Sequence, residues 1–200
     1  MKKLTLAVSM AIVIALLASV RWSTTATDAP PADQLPADTT LAVALSVGDM
    51  VSQADVIAIG RALETRSMWV DRSLVTLVTV AVSESLKGAP GETLTVVVPG
   101  GIDANRKIPI SMTYPGAPRL TPGEDVFLFL NADSEVGGGY NVTGYSQGKF
   151  SIVEGDDGEP MVGRDLTKVS LKDNNGVRRG QANLTPLASL KAQVKGHLGQ

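Results

Sequence analysis

Between Ser73 and Gly101 the chain reads SLVTLVTVAVSESLKGAPGETLTVVVPGG. Val78, Val80 and Val82 share one side of this run, with Leu86 continuing it, while Thr79, Ala81, Ser83 and Ser85 share the other. Period two is the mark of a strand with one buried face, and a helix would scatter those valines around its circumference. The run is about three times as long as the ~5–6 residues usual for a strand, and long bent strands suit small barrels, where one strand serves two sides of the sheet. Gly88-Ala-Pro-Gly91 makes a turn, and Thr93 to Val98 returns with Leu94, Val96 and Val98 on one face. Pro99 ends the strand, since proline cannot donate to a ladder, and Gly100-Gly101 open a loop. This pair of strands reads as barrel wall.

Other segments agree with a sheet. In DVIAIGRALETRSMWV, Gly60 lies inside a β-branched run, where glycine marks a bulge or bend. Val126-Phe-Leu-Phe-Leu130 is apolar at every position, as a strand buried on both faces must be. Gly137 to Gly139 break the chain before Tyr140 to Gly144, and Asp157-Gly158 predicts a hairpin between Phe150–Val153 and Met161-Val162. An edge strand is expected around Pro109, within an irregular, locally basic and proline-rich stretch, 99–124. Residues 165–183 read as a loop with one short strand, 168–171. Ser46-Val-Gly-Asp49 is a capping box for a short helix over 47–53. Thr185-Pro186 reads as an N-cap followed by proline at the first helical position, leading an amphipathic helix over 186–198 with Leu187, Leu190, Val194 and Leu198 on its stripe. The expected fold is mainly all-β: a small antiparallel OB-like barrel with a short N-terminal helix and a C-terminal amphipathic helix, in a single domain over 41–200.

The N-terminus is different in kind. Lys2-Lys3 precede an uncharged run, Leu4 to Val20, and Arg21-Trp22 come directly after it. A basic start and an apolar centre make residues 1–26 a signal peptide. The run approaches the ~20 residues of a membrane span, so an uncleaved inner-membrane anchor over 4–20 is the alternative. Either places the body of the chain in the periplasm or outside the cell. Residues 27–40, with three prolines and three aspartates, read as a linker.

Composition narrows the chemistry. The net charge is −2, and removing Lys2, Lys3 and Arg21 leaves fifteen basic residues against twenty acidic. An acidic body repels phosphate backbones, so nucleic acid is not an expected partner. There is no cysteine, which removes disulfides, thiolate metal sites and cysteine nucleophiles. His197 is the only histidine and reads as a solvent-side residue of the last helix. No G-x-S-x-G is present, and no carboxylate pair sits beside a group that would shift its pKa. The acidic turn Glu154, Asp156, Asp157, Glu159 lacks EF-hand spacing and reads as a solvated hairpin tip. No cofactor, metal or catalytic residue is expected. Among the few aromatics, Trp69 lies near a strand connection, where it either seals the core or anchors a ligand. Trp69, Arg106, Lys107, Tyr114, Arg119 and Tyr145 form the expected contact patch for a protein, peptide or glycan.

ADVIAIGRA (54–62), VTVAVSESLKG (78–88), VVVPGG (96–101), PGEDVFLFL (122–130) and YSQGKFSIV (145–153) resemble a group of uncharacterised exported bacterial proteins. Their order also resembles the barrel of netrin-like and metalloproteinase-inhibitor domains, an OB-type fold. Those inhibitors set an N-terminal cysteine on the protease zinc, and this chain has none, so the resemblance implies the fold and not that mechanism. The expected function is a non-enzymatic exported binding module of the envelope. An inhibitor or companion of a secreted peptidase, and an enzyme of unrecognised type, are the alternatives.

Overall fold

The computed structural model describes residues 38–200. The signal-peptide or anchor reading of 1–26, and the linker reading up to residue 37, fall outside the described residues. The described chain is mainly β, with thirteen strands and two helices.

β1 (Thr40–Val43) begins on the last residue of the segment read as linker, and α1 (Val47–Gln53) comes next. The capping box forms as expected: the Ser46 amide donates to Asp49 Oδ2 at 2.8 Å and the Asp49 amide donates to Ser46 Oγ at 3.1 Å. β2 (Val56–Val70) and β3 (Ser73–Lys87) are both fifteen-residue strands joined by a tight turn. Their antiparallel register slips at three places, after Ile57, after Ile59 and between Ala62 and Glu64. Gly60 stands at the second slip. A Cβ there would lie 2.2 Å from the Ala81 carbonyl oxygen, so only glycine lets β3 pass this close. Each bulge adds a residue on one strand and reverses the facing beyond it. That corrects one expectation: Leu86 does not continue the Val78, Val80, Val82 face but joins a different core, with Ile57 and Met50.

β4 (Thr93–Pro99) pairs with β3, and β5 (Gly101–Asp103) forms a small hairpin with β6 (Ile110–Met112). β7 (Asp125–Ala132) pairs with β2 along one edge. Its other edge is shared, first by β9 (Lys149–Glu154) and then by β8 (Gly139–Val142). β8 also runs parallel to β4. The pairings β2–β3–β4–β8–β7 therefore return to β2. On the far side, β9, β10 (Pro160–Asp165) and β13 (Ala182–Pro186) extend the same sheet as an antiparallel wing. β11 (Val169–Asp173) pairs with β1 in parallel and with β12 (Gly176–Arg179). Residues 165–183 thus hold β11, β12 and the start of β13, not the loop and single strand over 168–171 expected from their polarity. Edge strands exposed on both faces need few apolar residues, and the four residues of β12 are all exposed.

α2 (Leu187–Leu198) has the expected stripe, with Leu190 and Val194 buried. Its start differs by one residue: Pro186 occupies the N-cap without a side-chain hydrogen bond, and Thr185 belongs to β13. Pairing with Val162 holds Thr185 in the sheet.

β7 divides the interior. Val126, Leu128 and Leu130 face Val56, Val78, Val80, Leu94 and Val96 inside the closed set of strands. Phe127 and Phe129 face outward onto Phe150, Met50, Leu190 and Val194, under the two helices. Val126 to Leu130 are all fully buried, each worth roughly 1.5–3 kcal/mol of burial. Among the described residues no helix is long and apolar enough to cross a membrane.

Candidate functional site

Three segments distant in sequence meet beside the wing. The first is the β6–β7 connection, Thr113 to Arg119. The second is the β8–β9 turn with the start of β9, contributing Ser146, Lys149 and Ser151. The third runs from the end of β10 toward β11, Arg164 to Lys168. Together they line a cleft of about 610 Å³, a size that accommodates a small ligand or a side chain of a larger one.

Each wall is held by specific contacts. Gly116, at φ +69°, lets the first segment lie against β11, since a Cβ there would stand 2.8 Å from the Lys168 carbonyl oxygen. The Pro115 carbonyl accepts hydrogen bonds from Thr40 Oγ1 at 2.6 Å and from the Tyr145 hydroxyl at 3.0 Å. Tyr145 itself has φ +70°, a left-handed conformation that costs a non-glycine residue about 1 kcal/mol or more. The turn around it is fixed by Gln147, fully buried, which accepts from the Leu45 amide at 2.9 Å and donates to the Val43 carbonyl at 2.8 Å.

The polar groups of the cleft fall into two kinds. Lys149 is neutralised by Glu124, and Ser151 Oγ donates to the same carboxylate at 2.6 Å. Burial pushes the Glu124 carboxyl up, but hydrogen bonds from Lys149, Ser151 and the Thr121 amide outweigh it and hold it below the usual range. Lys168 is likewise paired with Asp38 at the rim. Arg164 and Arg119 make no ion pair among the described residues. Arg164 lies over the Phe150 ring, 5.0 Å from its centroid, and donates from one terminal nitrogen to the Gln147 carbonyl at 3.1 Å. Its Nε is buried with no hydrogen-bond partner, and so is Ser146 Oγ, on a residue only 7% exposed. Burial, and secondarily Arg178, lowers the Arg164 pKa from its ordinary value. Two buried groups without partners lining one cleft are unusual, because each unmet polar group costs roughly 1–3 kcal/mol.

The expected patch is divided between two places. Tyr114 and Arg119 line the cleft, with Tyr145 behind them on Pro115. Arg119 and Tyr114 also border a smaller depression of about 330 Å³ that reaches Gly100 and Gly101. Trp69 and Arg106 are elsewhere, at the tip of the β2–β3 hairpin. There Trp69 Nε1 donates to Asp103 Oδ2 at 2.7 Å, Arg106 pairs with the same carboxylate at 2.8 Å, and the guanidinium lies 5.1 Å from the indole centroid. That arrangement staples β5 to the long hairpin. Lys107 is exposed next to it. The acidic turn at 154–159 is a hairpin tip, and no metal-holding group of acidic or histidine side chains occurs among the described residues.

The expected patch does not include Ser146, Lys149, Arg164 or Lys168. Arg164 carries a signal in the sequence: it shares the strand parity of Val162, the buried side of β10, and a charge there asks for a partner. Ser146 carries none. In comparisons with family models, curated proteins and solved structures, none matches this chain.

Proposed function

We propose that the chain is exported and acts in the cell envelope as a non-enzymatic binding module built on a small OB-like barrel, with a protein, peptide or glycan as partner. Support for the barrel is the circuit of pairings β2–β3–β4–β8–β7–β2 around an aliphatic interior. Support for export is the basic start and uncharged run of Leu4 to Val20. The observation that carries the binding reading is the cleft, where, among the described residues, Ser146 and Arg164 keep buried polar atoms without partners and Arg119 makes no ion pair. A rigid scaffold carrying its irregular loops to one place is how binding surfaces are commonly made.

Two measurements test it. Expressed in a bacterial host with its own N-terminus, the chain is expected in the envelope fraction; retention in the cytoplasm would refute export. A photo-crosslinking residue at Thr113, an exposed cleft position, is expected to trap one discrete partner, and the product should vanish with Arg119→Glu. Labelling no different from that at Gln193 on α2 would count against the cleft.

A further inference from the structure

Resting on that binding reading, we propose that the inner wall of the cleft is a carboxylate site, with Arg164 and Ser146 as its primary contacts and Arg119 at its mouth. Arg164 offers Nε–H, and Ser146 a hydroxyl, both buried and both without partners among the described residues. A guanidinium edge presents parallel donors that match a carboxylate's two oxygens. The Phe150 ring lies beneath the guanidinium, 5.0 Å from Cζ to its centroid, and covers one face of it.

Charge calls for an anion, and the guanidinium edge chooses which. Four cations stand at the cleft, Arg119, Lys149, Arg164 and Lys168. Glu124 neutralises Lys149 and Asp38 neutralises Lys168. Asp165 lines the cleft too, and its Oδ1 is held by the Thr167 amide and hydroxyl. Among the described residues that line the cleft, one positive charge is left over, and Arg178 and Arg179 of β12 add to the positive field, acting on Arg164 and on Asp38. An anion is called for, and the free Nε edge of Arg164, with Nη1 already bonded to the Gln147 carbonyl, fits the two coplanar oxygens of a carboxylate. The ligand chemistry is therefore a carboxylate, either a peptide C-terminus or an acidic side chain.

The test is a titration of the full exported protein monitored by NMR, reading the Arg164 Nε–H resonance. Acetate is expected to bind saturably with a Kd of about 1–10 mM, as befits a four-atom ligand. N-acetyl-diglycine with a free C-terminus and N-acetyl-glutamate amide separate the two sources, and the amidated, uncharged form of each is expected not to bind. Arg164→Lys keeps the charge but loses the fork, and should weaken acetate about tenfold or more. Ser146→Ala should weaken it several-fold with the fold intact by amide spectrum. Absence of saturation by acetate at about 100 mM, or inorganic phosphate binding more tightly than acetate, overturns the proposal. If the Thr113 crosslink persists in that event, the binding module stands and only its carboxylate is lost.

Discussion

At Gly60 the absence of a side chain is a structural requirement, and the reason is a distance. The Cβ of an alanine would stand 2.2 Å from the Ala81 carbonyl oxygen and 2.8 Å from Val80 Cγ1. The carbonyl belongs to a paired strand and cannot swing away. Gly60→Ala is expected to cost about 2–3 kcal/mol, read from a shifted urea midpoint with unchanged slope. Glu124 shows the other residue-scale effect. Its side chain is 19% exposed and its folded pKa is depressed, because the bonds from Lys149, Ser151 and Thr121 outweigh desolvation. A depressed carboxyl stabilises the fold above the unfolded pKa, near 4.5, and that contribution disappears as pH falls through the lower folded value. Wild-type protein should therefore lose stability steadily below about pH 4.5. Glu124→Gln should lose less over the same range, measured as the difference in unfolding free energy between neutral and acid pH. Equal slopes for the two proteins would remove Glu124 from the account.

At the element scale, the β5–β6 hairpin is too short to stand alone. Its three-residue strands are held by Trp69, Asp103 and Arg106, and by Ser67, whose hydroxyl accepts from the Ile102 amide at 3.1 Å. Isolated two-stranded ribbons are marginal in water, so the indole and carboxylate supply what pairing cannot. Asp103→Ala should speed hydrogen exchange at the amides of residues 101–103 by about tenfold, with the rest of the protein unaffected. It should also shift the emission of Trp69 toward a more solvated value. Slow exchange in this variant would mean that backbone pairing alone holds the hairpin. The same element view explains the region 165–183: its strands form because β10 and β1 are already in place to receive them.

For the whole molecule, β7 ties two cores into one. Valine and leucine on one side fill the closed set of strands, and phenylalanines on the other meet the helices. Neither of these cores can open without uncovering β7, so the two should unfold in a single cooperative transition, while Leu166, Val169 and Leu171 form a small third cluster apart from β7. Leu190→Ala on α2, far from the aliphatic core, is expected to lower the stability of the entire fold by about 2–5 kcal/mol. Coincident curves from Trp69 fluorescence and far-ultraviolet dichroism would bear this out; two separated transitions would show independent halves.

Local chemistry was enough for the sequence to determine the early helix, the long alternating hairpin, the doubly buried strand at 126–130 and the stripe of the last helix. Each depends on residues a few positions apart, and burial imposes its period on them directly. Bulges erase that parity, which is why strict alternation puts Leu86 on the wrong face. The cleft lay beyond such reading. Its walls come from residues 113–119, 146–151 and 164–168, and only the pairings of β9 with β7 and β10, and the seating of Gly116 on Lys168, bring them together. Whether an arginine has a partner is a property of space, not of spacing, and for Arg164 the tertiary structure alone decided it.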